Sequence, residues 1–578
     1  MKKSILTLFA ILFLLVQSIP LTTSPVVISV RSTSSKTISN ENSRNSFKKE
    51  NFVPFTTSTN VTYIAAGSNA DITAINSPTG SGTQSDPYIF QNFNISNTDS
   101  ILVHIENTDK YIVIKNNIVD GQGSNSLGFV IKNATHITID NNYISGVLTA
   151  IDVQNSSTNI ISNNLITNLV NPRVGIIAVF NNNTQILNND INTIDGYTIE
   201  FYYAISCQVS GNNLNNSQYG LDLMNVNNSL ISNNMINTPG GIYLQSSSDD
   251  ILQSNFVASS GIGIYYGENI TIVANSLTNS DYGIKIEHVS YSFILDNILD
   301  KTSINGVQII NYSHDNVIRN NFISDSKYGI YVYYSNANTF ENNTITHEST
   351  GLIGIHLLNA NFNLFTNNTS EKQNLDYLID TSNYNSIIGD TFKSEKGNGT
   401  ELLNANYNKI INSTFYSGFD FALVSINGTG NKIFGNSFNA ENFYSVYLTN
   451  ENNDIIQYNK FLAVSKFGGA QAFTDNNNSI FRYNYWTGWT SPDNNKDGYV
   501  DEPYLLDGPS RVYDTKPLSV FSQFIISPTE ATSSQSSNSV TTTNPPDNGV
   551  LFTTLALAGG LLLGTGGTIF IIRKRTHK

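Results

Sequence analysis

The chain has 578 residues, of which only 13% are charged, and its 30 Lys and Arg against 44 Asp and Glu leave a net charge of −14. That balance excludes nucleic acid as a partner, because a phosphate backbone is held by clustered cations. A single cysteine, Cys207, excludes an intrachain disulfide framework, so backbone hydrogen bonds and burial must hold the fold together.

Residues 1–24 have the make-up of a secretory signal peptide, with Lys2 and Lys3 ahead of an apolar run from Ile5 to Val16. That run is about a dozen residues, too short to span a bilayer. Residues 25–59 form a polar lead-in; 31–51 have almost nothing apolar to bury and are expected to be disordered. From 60 to 525 one pattern repeats. It is clearest at 137–166, where I-x-x-N-x-I appears as Ile139, Asn142 and Ile144 and again as Ile161, Asn164 and Ile166, with a second apolar segment, Ala150 to Val153, between them.

Following the asparagine along the chain gives Asn117, Asn142, Asn164, Asn189, Asn212, Asn234, Asn255, Asn275, Asn297, Asn321, Asn343, Asn368, Asp390, Ser413, Asn436, Asn459 and Asn484. The mean spacing is roughly 23 residues, a solenoid period. Apolar and polar residues alternate around each mark, which is strand periodicity, and no amphipathic helix fits. Each unit reads as two strands and a corner. Asn suits the corner because it tolerates a left-handed backbone and its amide can bond to the Asn of the next coil. Leucine-rich repeats share the period and the Asn, but the rest of each unit is rich in Ser, Thr and Asn and has no helix-forming run. The fold class is therefore all-β, a right-handed parallel β-helix of about 17 coils, on the order of 80 Å long at strand spacing.

In many coils a second strand begins Gly-Ile-x-Val, and the residue x should point outward. Reading x coil by coil gives Asp222, Tyr243, Tyr265, Lys285, Gln308, Tyr331 and His356. Aromatic faces with amide and charged groups between them suit sugar rings and their hydroxyls, so the column is a candidate ligand-binding face for a glycan or cell-surface polymer. Tyr is also simply a good exposed strand residue. Near the end of the repeats, Asp493, Asn495, Asp497, Gly498, Tyr499 and Asp501 match six positions of an oxygen-rich calcium loop, with Tyr504 where its last ligand, Glu, would stand. A structural calcium ion pinning the C-terminal cap is the expectation there. Residues 526–549 read as a Ser/Thr-rich stalk. Residues 550–572 are apolar or small throughout and precede Arg573-Lys574-Arg575, which predicts a transmembrane helix with the basic tail, 573–578, inside and the β-helix outside the cell.

Two stretches carry a resemblance. Residues 80–89, GSGTQSDPYI, and 484–504, NYWTGWTSPDNNKDGYVDEPY, flank the repeats and resemble the opening and closing segments of NosD-like, pectate-lyase-type β-helix proteins. The resemblance covers roughly 60–520 and implies carbohydrate-related surface modules, polysaccharide lyases and hydrolases among the wider relatives, and a part in copper delivery for the name-giving member. Copper wants clustered His, Cys or Met, and this chain has 7 His, 1 Cys and 3 Met, scattered. Hydrolysis wants paired carboxylates, and Asp249-Asp250 is the only Asp pair. Lyase chemistry wants a base beside a cation, and Arg173, Arg319 and Arg482 adjoin no acidic cluster. Three functions stay open: a non-catalytic membrane-anchored polymer binder, a carbohydrate-active enzyme with an unrecognised site, and a structural envelope component.

Overall fold

The computed structural model describes residues 59–74, 78–170, 174–192, 196–348, 351–418, 420–462 and 470–521. The expected signal peptide, nearly all of the lead-in, the stalk, the membrane span and the basic tail lie outside them. Among the described residues no helix is long and apolar enough to cross a membrane.

Each coil is three strands, not two. In one coil they are Tyr143–Ser145, Thr149–Gln154 and Ile160–Ser162. Each pairs in parallel with its counterpart one coil on: Ile144 lies beside Ile166, Ile151 beside Ile176, and Ile161 beside Ile186. Stacking the coils gives three parallel sheets, here sheet I, sheet II and sheet III in that order, and sheet I has 19 strands. The I-x-x-N-x-I pattern straddles two of them: Ile139 belongs to sheet III, Ile144 to sheet I, and Asn142 sits in the bend. Most strands of sheets I and III are three residues long, too short for alternation to separate them. Ile144, Ile151 and Ile161 all point into one continuous buried core.

The bend divides its work between two residues. Asn142 is fully buried; its backbone N–H and Nδ2 donate to Oδ1 of Asn164 at 2.9 and 3.0 Å, and Nδ2 also reaches the Ile114 carbonyl at 2.9 Å. The next rungs repeat this arrangement. The left-handed backbone falls on the residue before: φ is 53° at Asn141 and 55° at Asn163 and Asn233. One residue was expected to do both jobs. A side chain must turn inward to join the amide column, and its neighbour supplies the reversal that aims it there.

The glycine that opens many sheet II strands is a packing requirement. A Cβ on Gly329 would lie 2.4 Å from Cγ2 of Ile345 and 2.6 Å from the Gly354 carbonyl of the next coil. At the C-terminal end, the antiparallel pair Tyr504–Leu505 and Tyr513–Asp514 closes the rod. The Tyr504 ring stacks on Trp486 at 4.2 Å, and Asp514 accepts from the backbone N–H and Nδ2 of Asn484, both at 3.0 Å.

Candidate functional site

Strand alternation sends every second side chain of sheet II outward, and parallel register stacks these into columns. Asp222, Tyr243, Gly263, Lys285, Gln308, Tyr331 and His356 are successive neighbours in one of them. Six of the seven residues read from the sequence are therefore brought together. Tyr265 is not in the column; it lies two residues on, between Gln245 and Glu287. The slip arises because Gly261-Ile262-Gly263-Ile264 contains the Gly-Ile signal twice. The Tyr265 ring nevertheless covers the vacant position, since a Cβ on Gly263 would meet its Cε2 at 3.0 Å. It lies 4.9 Å from the Tyr243 ring, and Lys285 Nζ is 5.0 Å from its centre.

The column is half-buried rather than fully exposed, because adjoining side chains shield one another. Burial raises the pKa of Asp222. Burial also works against the Lys285 ammonium, but the contact with Glu287 at 3.1 Å outweighs it and leaves the pKa above the usual value. His356 sits beside the rings of Tyr331 and Tyr328 at 5.2 and 5.9 Å, and burial lowers its pKa against the opposing pull of Asp380. Asp222 Oδ1, Gln308 Oε1 and both ring nitrogens of His356 are buried atoms with no hydrogen-bond partner in the protein.

Two groups on this face escaped the sequence reading. Glu200 is the neighbour of Asp222 one coil earlier; burial and then the Asp222 charge push its pKa up to about 7. Its coil carries Thr198 where others carry Gly, so the motif search passed over it. The other is Tyr328, whose ring lies 5.9 Å from that of His356; its chain neighbour Lys327 lines, with Asp325, His347 and Leu352 among others, a shallow cleft of about 330 Å³, in which His347 Nδ1 lies 3.4 Å from Asp325. Arg319 contacts Glu341 at 3.8 Å on the surface.

The acidic loop is braced by its own hydrogen bonds. Asp493 Oδ2 accepts from the Gly498 N–H and the Ser519 hydroxyl at 3.2 and 2.7 Å. Asp497 and Asn495 accept backbone N–H groups of Tyr499 and Asp497, both at 3.0 Å. Asp501 accepts from the N–H and amide of Asn494 at 2.9 and 2.7 Å, while Tyr499 packs near Tyr483. Among the described residues no three Asp, Glu, His or Cys side chains converge as metal ligands. Asp493 Oδ1 is buried with no hydrogen-bond partner, and the other oxygens keep lone pairs beside the N–H groups they accept, so the loop leaves room for the expected calcium ion without supplying a full set of carboxylate ligands.

The sequence profile of the right-handed beta helix region matches residues 79–236, 174–323 and 224–370, together half of the chain. The chain belongs to the right-handed β-helix family. Among curated proteins, none matches the sequence of this β-helix. Similar solved structures include an alginate lyase with a bound trisaccharide, 11% identical with a TM-score of 0.34 over 55% of this chain and 86% of the lyase. A periplasmic alginate epimerase is 12% identical with a TM-score of 0.29 over 61% of this chain and 84% of its own. A surface protein and adhesin of Streptococcus pneumoniae is 15% identical with a TM-score of 0.31 over 50% and 91%. These scores are too low for any of the three to inform the chemistry of this chain.

Proposed function

We propose that this β-helix is held outside the cell by its C-terminal apolar segment and binds a glycan or another cell-surface polymer along the outer face of sheet II, without catalysis. The observation that carries this reading is the row of polar atoms left without partners beside aromatic rings in one column. A buried donor or acceptor without a partner is costly, and a hydroxyl-bearing ligand lying along the column would supply the missing bonds. Glycan-array binding by the full chain tests it. Tyr243→Ala with Tyr331→Ala should abolish binding and leave the far-ultraviolet spectrum unchanged; unaltered binding would refute this site.

A second reading, a carbohydrate-active enzyme, is favoured by one observation. Glu200, raised to about 7 by burial and then by Asp222, stands one coil from that second carboxyl group, the kind of pairing that glycoside cleavage uses. A reducing-sugar assay on polymers that bind, repeated with Glu200→Gln, decides between the two. Release of sugar that the substitution eliminates would establish the enzyme. A chain that neither binds nor cleaves is the structural component.

A further inference from the structure

A second surface lies along the edge where sheet II turns into sheet III. Two positions in that turn adopt left-handed backbone in coil after coil, and Asn is their frequent occupant, as at Asn225 and Asn404 for the first and Asn183 and Asn228 for the second. Asn enters this region easily, and a bulky side chain there is an outlier. In three groups of adjoining coils an aromatic ring takes the place.

Phe362, Tyr384 and Tyr407 hold the second position with φ of 60°, 57° and 56°. Their rings stack at 5.0 and 5.1 Å, yet they are 54%, 44% and 47% exposed. Tyr266 and His288 hold the first position in two earlier coils, stacked at 4.8 Å. Phe180 and Tyr203 do the same, at 5.0 Å. Stacking alone does not require this placement, since rings inside the rod stack as closely without a strained backbone or contact with water. Strain and exposure together at one edge point to a ligand.

The surroundings specify its chemistry. From 155–159 to 450–454, no turn joining sheet II to sheet III contains Lys or Arg. The ground between the rings is Asn, Ser and Thr, with a few exposed acids such as Asp249, Glu268 and Asp315. The turns themselves offer no cation to a uronate, sulfate or phosphate group, the nearest being Lys409 and Lys432, paired where sheet III begins beyond Tyr407, while their amides and hydroxyls both donate and accept and the rings supply apolar area. The edge is continuous with the sheet II face, where Tyr334 meets Tyr333 at 4.4 Å.

We infer that this edge is a second binding surface and that it takes an uncharged, hydroxyl-rich polymer, a neutral glycan. The inference rests on the proposed function only in taking the ligand to be a polymer. Affinity electrophoresis of the full chain through gels containing a neutral β-glucan or mannan, with polygalacturonate as the charged control, tests it. The decisive variant is Phe362→Asn with Tyr384→Asn and Tyr407→Asn, because Asn is what other coils carry there and the backbone accepts it. The expected result is retardation by a neutral polymer that weakens at least tenfold in this variant, with an unchanged melting temperature. If the triple variant loses its fold, Tyr384→Asn alone, at the centre of the stack, gives the same reading. Retardation equal to the parent's, or retardation by polygalacturonate alone, overturns the inference. If in that case Tyr243→Ala with Tyr331→Ala does abolish retardation, the sheet II reading stands and only the edge is lost. A parent chain retarded by no polymer removes both.

Discussion

Between Ile144 and Ile345 the sheet I column inside the rod is aliphatic, and from Phe392 through Phe415, Phe438 and Phe461 to Trp486 the same column is aromatic, with ring centres 4.3, 4.7, 5.4 and 4.1 Å apart. Ser370 stands at the change, its hydroxyl donating to Asp376 at 2.7 Å, and Tyr377 donates to Asp390 at 2.5 Å. The family profile reaches residue 370 and stops there. Across the junction the sheet II glycine column, ending at Gly329 and Gly354, gives way to Asp376, Gly399, Ala422, Ser445 and Gln471. The three-sheet backbone persists through all of this. Its ladders fix the coil, and the filling is free to vary as long as each layer matches the layers above and below.

The two halves also differ in buried acid. Among the described residues, Asp376, Asp390, Glu451 and Asp454 are all almost wholly buried in the second half, and in the first only Asp250 is so deep. Glu451 Oε2 and Asp454 Oδ2 are buried with no hydrogen-bond partner.

The largest expected effect comes from breaking the aromatic column. Phe415→Ala should cost about 3–5 kcal/mol, at or above the about 2–5 kcal/mol for Ile236→Ala in the aliphatic half. Amide exchange should show each loss centred in its own half, and uniform loss along the rod would show that the halves are not separate units. Next is pH. Burial, opposed by the Tyr377 hydroxyl, raises Asp390 to about 7. The unfolded chain releases this proton near pH 4. The associated stability is thus complete below that value and is lost as pH rises toward 7, on the order of 4 kcal/mol. Burial first and Glu451 second raise Asp454 to about 9, extending the loss into the alkaline range. Urea unfolding followed in the second half should show greater stability at pH 4.5 than at pH 7.5, and Asp390→Asn should remove its own share of the difference and leave that of Asp454.

A smaller effect separates the ladders. Asn234→Leu removes the acceptor for Asn212 and the donor to the Val209 carbonyl, costing about 1–3 kcal/mol. Ser413→Ala, where the amide run is already interrupted and the hydroxyl accepts from the Asp390 N–H at 3.2 Å and donates to the Ile411 carbonyl at 3.1 Å, should cost about 1 kcal/mol; equal melting temperatures for the two variants would contradict this difference. The smallest effect is at the acidic loop. If a calcium ion pins the cap, amide exchange between Ile456 and Leu506 should slow when calcium is added, and Asp493→Ala with Asp497→Ala should erase the difference. Identical exchange in calcium and in chelator would leave the acidic loop an ordinary turn.

Much of the fold was legible because a solenoid writes the same constraint into every coil, and Asn with Ile at fixed spacing recurs whatever lies between. The third strand was not legible, since a three-residue strand has no period of its own. Nor was Asp514, which closes the ladder from a segment outside the repeat. The outward column could be read from alternation alone, apart from Tyr265, where a doubled Gly-Ile offered two registers. The aromatic edge was invisible for a different reason. Its positions look like ordinary Asn-rich turns until φ shows which of them are left-handed, and the unpaired atoms of Gln308 and His356 exist only once neighbours are placed around them.

Every amide in the ladder points the same way. Asn117 accepts from the Phe93 N–H on one side and donates to Asn142 on the other, and the sense never reverses. Such a run behaves as a row of aligned dipoles whose positive end faces the C-terminus, a side-chain counterpart of the helix macrodipole. The run that passes through Asn343 and Asn368 ends on Asp390. The run from Asn436 through Asn459 and Asn484 ends on Asp514. A second column, from Asn316 through Asn338, Asn363, Asn385 and Asn408 to Asn431, ends on Asp454. In each case the aspartate stands where the aligned amides direct their positive end, a place in an otherwise unfavourable interior where developing negative charge meets an attractive field.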